Sequence, residues 1–212
     1  MRVTVFGATG GIGRHIVAQL LTSGHYVTAV VRSPTNLDAD HDRLTVVVGK
    51  LFDPDAVDAA IRGADAIISA LGPSLGRTAG NHALTDGTAL IVSLMRGEGV
   101  RRFVGLATPS IPDPRDAPHW KQKVLPVMAK LMFPHALAEL RGMTAAITPS
   151  DLDWTIARIT KPTNTTPTGR WRAGFLGRDK VGSTMSRADI AAFLVAQLTD
   201  RTYVGAAPAI SN

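Results

Sequence analysis

Three glycines carry the first chemistry in this chain. They are Gly7, Gly10 and Gly13 in the run Phe6-Gly7-Ala8-Thr9-Gly10-Gly11-Ile12-Gly13. A short apolar run, Val3-Thr4-Val5-Phe6, precedes them, and an amphipathic segment opening Arg14-His15-Ile16-Val17 follows. That order reads strand, tight turn, helix. Backbone amides at the start of such a helix, with the positive end of its dipole behind them, can hold a diphosphate. Gly7 suits dihedrals that a side chain forbids, Gly10 suits close approach of a ligand, and Gly13 suits a helix pressed onto its strand. The spacing is Gly-x-x-Gly-x-x-Gly and departs from the Gly-x-Gly-x-x-Gly fingerprint. The bare alternative is a tight strand-to-helix turn with no ligand; the strand before and the helix after favour the ligand.

The other residues able to do chemistry are scattered, so their place in the fold matters more than their type. Arg32 and Ser33 end the apolar run Tyr26–Val31. In a βαβ nucleotide site that strand tip faces the adenosine ribose, where an acid bonds the 2′-hydroxyl of NAD and an arginine accommodates the 2′-phosphate of NADP. The tip here has no acid, and guanidinium donors match a phosphate. The alternative is a solvated arginine. Thr108 and Ser110 follow the apolar run Arg102–Ala107, and ligands in open parallel sheets sit beyond the carboxyl ends of strands. Each hydroxyl is either a polar contact near a reacting ring or a local turn bond; Thr108 is the weak catalytic candidate. Gly72 could let the chain pass close to a cofactor. Asp53, before Pro54, reads as a helix cap rather than an acid, and Lys50 as a solvated loop charge. His135 follows a proline break and is either structural or faces a pocket. Met128, Leu131, Met132 and Phe133 form an apolar cluster read as helix-packing surface or a subunit contact.

The elements that must position these groups alternate. Strands are expected at residues 2–6, 26–31, 44–48, 65–70, 102–107 and 152–158, with short edge strands near 169–172 and 203–205. Helices are expected from residue 13 to about 21, over 54–62, over 84–96 and from 186, where Ser186 and Asp189 form a capping box. Residues 120–147 read as two helical segments broken near Phe133-Pro134. Residues 109–120 hold four prolines and read as a loop, a candidate mobile cover. The pattern implies an α/β Rossmann fold: a doubly wound parallel sheet in three αβα layers, order 3-2-1-4-5-6. A chain of 212 residues fits one such domain, with a substrate-side region at about 109–150 and 159–185.

Composition bounds the rest. Hydrophobic content of 45% is that of a folded globular chain. The absence of cysteine excludes disulfides and thiolate chemistry and fits a reducing, cytoplasmic setting. No signal peptide or membrane span is read. The net charge of +6 is spread without a basic stripe, which favours an anionic small molecule over nucleic acid as the partner.

The glycine run, the tip Val31-Arg32-Ser33, the stretch Ser150-Asp151-Leu152-Asp153-Trp154-Thr155-Ile156-Ala157-Arg158 and Ser186-Arg187-Ala188-Asp189-Ile190-Ala191 together resemble the atypical short-chain dehydrogenase/reductases. The nearest groups are the NAD(P)H-binding proteins similar to flavin reductase/biliverdin reductase B, and the NmrA-like proteins. The resemblance implies that Thr9, Gly10, Gly11 and Ile12 meet the diphosphate and nearby ribose, and Arg32 the 2′-phosphate. It places Leu51 by the adenine, Ala70, Leu71 and Gly72 along the path from adenosine ribose to nicotinamide, and Ala107 and Thr108 by the nicotinamide. Two positions depart from the pattern: Gly49-Lys50 stands where relatives often have Gly-Asp, and Arg158-Ile159 where they often have Arg-Pro.

Classical short-chain dehydrogenases use Tyr-x-x-x-Lys as proton donor and its tuner. Here the only tyrosines are Tyr26 and Tyr203, and neither has a lysine four residues on. Two readings survive. One is an NADPH-dependent reductase of a planar acceptor, flavin or quinone, in which alignment of two rings supplies much of the rate. The other is a non-catalytic NADP(H)-binding regulator or redox sensor.

Overall fold

The computed structural model describes residues 1–33, 41–73, 82–118 and 120–212. The chain opens with β1 (Arg2–Phe6), α1 (Gly13–Thr22), β2 (Tyr26–Val31) and β3 (Leu44–Val48). It continues through α2 (Pro54–Ile61), β4 (Ala66–Ser69), α3 (Ala83–Gly97) and β5 (Arg102–Ala107). Two consecutive helices, α4 (Trp120–Met132) and α5 (Pro134–Ile147), precede β6 (Asp153–Arg158). The last part holds β7 (Lys161–Thr163), β8 (Arg172–Gly174), β9 (Thr184–Ser186), α6 (Arg187–Ala196) and β10 (Ala209–Ser211).

The main sheet runs β3-β2-β1-β4-β5-β6-β10-β8, so the expected order of six strands is extended by two at one edge. All its pairings are parallel except β10 with β8. The reversal of strand order at β1 places β1 and β4 side by side, the switch point at which open sheets bind ligands. Alternate residues feed two cores, as the period of two requires. Val3 and Val5 pack with Ile16 and Leu20 of α1 and with Ile190 and Leu194 of α6. On the other face Phe6, Ile67 and Phe103 pack with Ile61 of α2, Ile91 and Met95 of α3, and Leu137 and Leu140 of α5. Two helical layers thus cover the sheet.

The expected starts and stops hold where local chemistry sets them. Asp53 accepts from Ala56 N at 3.3 Å and Pro54 opens α2. The helix break falls at Phe133-Pro134, while α4 runs through Pro126. Three expectations fail at the sheet's far edge. Residues 203–205 form a turn, and the last strand is β10 instead. The edge strand expected at 169–172 sits at Arg172–Gly174, and residues 161–163, where no strand is expected from the sequence, form β7, which pairs with β9. These strands are three residues long and their partners lie far along the chain, so periodicity carries no signal for them.

Ser186 caps α6 through Asp189 N at 3.0 Å, but the reciprocal half of the capping box is rerouted. Asn212 Oδ1 accepts from Ser186 N, and the Asp189 carboxylate instead accepts from Ser186 Oγ, Thr168 N, Gly169 N and Asn212 Nδ2.

Candidate functional site

The turn between β1 and α1 is built on main-chain contacts. Gly10 N donates to Gly7 O at 3.0 Å and Arg14 N to Gly10 O at 3.0 Å. Gly7 has φ +76°, a region open to glycine. A Cβ on Gly13 would lie 2.0 Å from Gly7 O, so α1 approaches the strand as closely as the sequence requires. Ile12 occupies the N-cap and supplies no side-chain hydrogen bond. The opening amides of α1 are thus left without a side-chain cap, the arrangement that receives an anion.

From this turn a cleft of about 670 Å³ runs along the carboxyl ends of β1 to β4. Its walls include Gly7, Thr9 and Gly10 from the turn, Arg32 from the tip of β2, Leu51 after β3, and Ala70, Leu71 and Gly72 after β4. Lys50 and Phe52 also line it, with the Lys50 ammonium 5.7 Å from the Phe52 ring centre. Lys50, read from sequence as a solvated loop charge, is therefore a cleft residue. Among the described residues the cleft wall carries two cations and no carboxylate. Leu51 is held by α3: a Cβ on Gly87 would lie 2.2 Å from Leu51 Cγ. Gly11, Ile12, Gly13 and Ser33 adjoin the cleft in sequence but do not form its wall, and Ala107 is buried at the end of β5.

A second cavity of about 300 Å³ lies farther along the same edge of the sheet, between the ends of β5 and β6 and the helices α4 and α5. Thr108, Ser110 and Thr160 give it hydroxyls, and Met128, Met132, Phe133, Ala136, Leu137 and Leu140 give it apolar walls. Thr108 Oγ1 and Ser110 Oγ are 2.6 Å apart. Met128, Met132 and Phe133 thus line a cavity while staying partly exposed, and Leu131 is 78% exposed. His135 is exposed and does not line this cavity.

A profile of the NAD(P)H-binding family matches residues 7–201. The chain belongs to that family. A maize isoflavone reductase homologue is 30% identical over 111 residues, 48% of this chain and 33% of that protein. A 3-beta-hydroxysteroid dehydrogenase of Mycolicibacterium neoaurum is 34% identical over 120 residues, 52% of this chain and 32% of that protein. The match therefore spans about a third of each of these relatives. An anaerobilin reductase of Escherichia coli O157:H7 shares the fold at a TM-score of 0.80 and 20% identity, over 100% of this chain and 97% of that one. A Veillonella parvula short-chain dehydrogenase/reductase in complex with NADP superposes at 0.76 and 19% identity, over 100% and 94%.

The described residues fit an NAD(P)H-binding chain: uncapped amides at a helix start, close main-chain approach at Gly13, and a cationic cleft leading from them. They also keep both tyrosines out of the cleft and the cavity. Tyr26 begins β2, at the opposite end of the sheet, and is 57% exposed. Tyr203 is held under β8 by a bond to Ala173 O at 3.1 Å, and burial pushes its hydroxyl pKa up. The loop read as a mobile cover is anchored. The fully buried Arg158 donates to Asp116 at 2.6 and 2.7 Å, and Asp113 accepts from Ala207 N at 2.8 Å. No helix among the described residues is long and apolar enough to cross a membrane.

Proposed function

We propose that this chain binds NADPH and directs hydride transfer to a planar acceptor, a quinone or flavin, without an acid–base dyad. The observation that carries the reading is the apolar cavity beside Thr108, which lies next along the sheet edge from the nucleotide cleft. The reduced nicotinamide supplies the hydride when bound. The turn amides of residues 11 and 12 hold the diphosphate, and Arg32, assisted by Lys50, holds the 2′-phosphate. Leu51 borders the adenine, and Ala70, Leu71 and Gly72 line the path towards Ala107 and Thr108. Met128, Met132 and Phe133 offer apolar contact to the acceptor ring, and the methionines can adapt to its outline, since methionine is flexible and polarizable. Thr108 and Ser110 offer hydroxyls to an acceptor oxygen. Holding donor and acceptor rings together converts a bimolecular step into an intramolecular one, the main source of rate where no acid is positioned.

The substrate-side region, about 109–150 and 159–185, supplies most of this second cavity. Its described wall carries no charged side chain, which favours a neutral ring such as a quinone over a phosphorylated flavin. NADPH oxidation followed at 340 nm with a panel of quinones and flavins tests the reading. Turnover with a small quinone, and a lower kcat/KM for FMN, is expected. Tight NADPH binding with no turnover on any acceptor would overturn it in favour of the regulator.

A further inference from the structure

The last helix of the fold reaches the nucleotide turn. Gln19 of α1 donates to Ala188 O at 2.9 Å, so the first turn of α6 lies against α1. Arg187, the first residue of α6, lies on Gly11: a Cβ built on that glycine would meet Arg187 Nε at 2.9 Å and Cδ at 3.0 Å. The only hydrogen bond its guanidinium makes among the described residues is from Nη1 to Asn164 Oδ1 at 2.6 Å. No carboxylate among those residues lies within ion-pair distance of it. A cation in this place is electrostatically awkward. It sits at the N-terminus of its own helix and beside the N-terminus of α1, both ends of positive partial charge. An arginine has five donors, and the described residues take one of them. The charge makes sense when an anion bridges it to the α1 amides.

We propose that Arg187 binds the diphosphate of the nicotinamide nucleotide from the side opposite Arg32, so that the cofactor is clamped between the first and last helices. A side chain at position 11 would then push the arginine away from the diphosphate. The inference rests on the nucleotide occupying the α1 turn, and the test separates the two.

Isothermal titration of the parent, Arg187→Ala, Arg187→Gln and Arg187→Lys with NADPH, NADH, ADP-ribose and 2′-AMP decides it. ADP-ribose carries the diphosphate without the 2′-phosphate or nicotinamide; 2′-AMP carries the 2′-phosphate without the diphosphate. Arg187→Gln keeps a stem to rest on Gly11 and removes only the charge, so it remains informative if Arg187→Ala fails to fold. Loss of roughly tenfold or more for NADPH, NADH and ADP-ribose alike, with 2′-AMP unchanged and partial rescue by lysine, is expected. Parent-like ADP-ribose binding by Arg187→Gln would overturn the role of Arg187 alone, as would an equal loss for 2′-AMP. A parent that ignores ADP-ribose altogether would overturn the turn as the nucleotide site, and this inference with it.

Discussion

At the scale of single residues, position decides what a charge does. Arg32 is exposed at the tip of β2 and lines the cleft, and Lys50 lines it from the neighbouring strand. Arg158, of the same type, is fully buried and spent on Asp116. The first can meet a ligand and the second cannot. Arg32→Ala should therefore weaken NADPH binding by about 1.5–3 kcal/mol, the scale of hydrogen bonds to charged groups, and change NADH binding little. Titration with both cofactors checks this, and equal losses would refute the assignment of Arg32 to the 2′-phosphate. Gly7 and Gly13 were readable as necessities of a turn, and the structure bears out the geometric reason for each. Lys50 was not, because a lysine after a strand has the same local pattern whether it faces solvent or a cleft. Arg187 was visible only as part of a resembling stretch. What places it on Gly11 is the packing of α6 against α1, and no local pattern encodes a contact between residues so far apart.

At the scale of elements, buried polar groups fix the segments that shape the cavity beside Thr108. Glu139 of α5 accepts from Thr85 N at 2.9 Å and Thr85 Oγ1 at 2.7 Å, so a carboxylate of one cavity helix caps the start of α3. Gly142 is needed one turn on, where a Cβ would come within 2.2 Å of Thr85 Oγ1. On the other side, Asp116 joins the loop after β5 to Arg158 of β6 and to Leu176 N at 2.9 Å. Removing one partner of a buried pair strands the other's charge, whereas replacing both with apolar groups can be neutral. Asp116→Ala should thus cost about 3–5 kcal/mol in urea unfolding, and the double change Asp116→Leu with Arg158→Met should recover much of it. A single variant as stable as the parent would show that this pair does not hold the loop. The sequence suggested only a proline-rich loop here. The ion pair that anchors it joins residues 42 apart, beyond the reach of local pattern.

For the whole molecule, the first six strands of the sheet and their order were legible because each βαβ unit writes a local pattern, and right-handed crossovers leave little choice of topology. The two added strands and the small β7–β9 pair were not, because tertiary pairing alone makes them. That far edge is tied together by Asp189, which joins α6, residues 168–169 and the C-terminal Asn212 in one cluster. Burial by itself pushes the Asp189 carboxyl up. The donors from Thr168, Ser186, Gly169 and Asn212 outweigh it and hold the carboxyl below its ordinary value. The Asp116 carboxyl is likewise held low: the Arg158 and backbone hydrogen bonds outweigh its burial. A carboxyl whose pKa is lower folded than unfolded contributes stability that is fully present above the unfolded value, about 3.9, and is lost as pH falls through the folded one. The part of the stability owed to these two carboxyls should then be flat from about pH 7 to 5 and decline below about pH 4. Asp189→Asn removes one of these titrations, so the stability gap between parent and variant should shrink steadily as the pH is lowered from 5 to 2. Urea midpoints across that range measure the gap, and a gap that stays constant would mean that Asp189 ties the sheet edge by shape and neutral hydrogen bonding rather than by its charge.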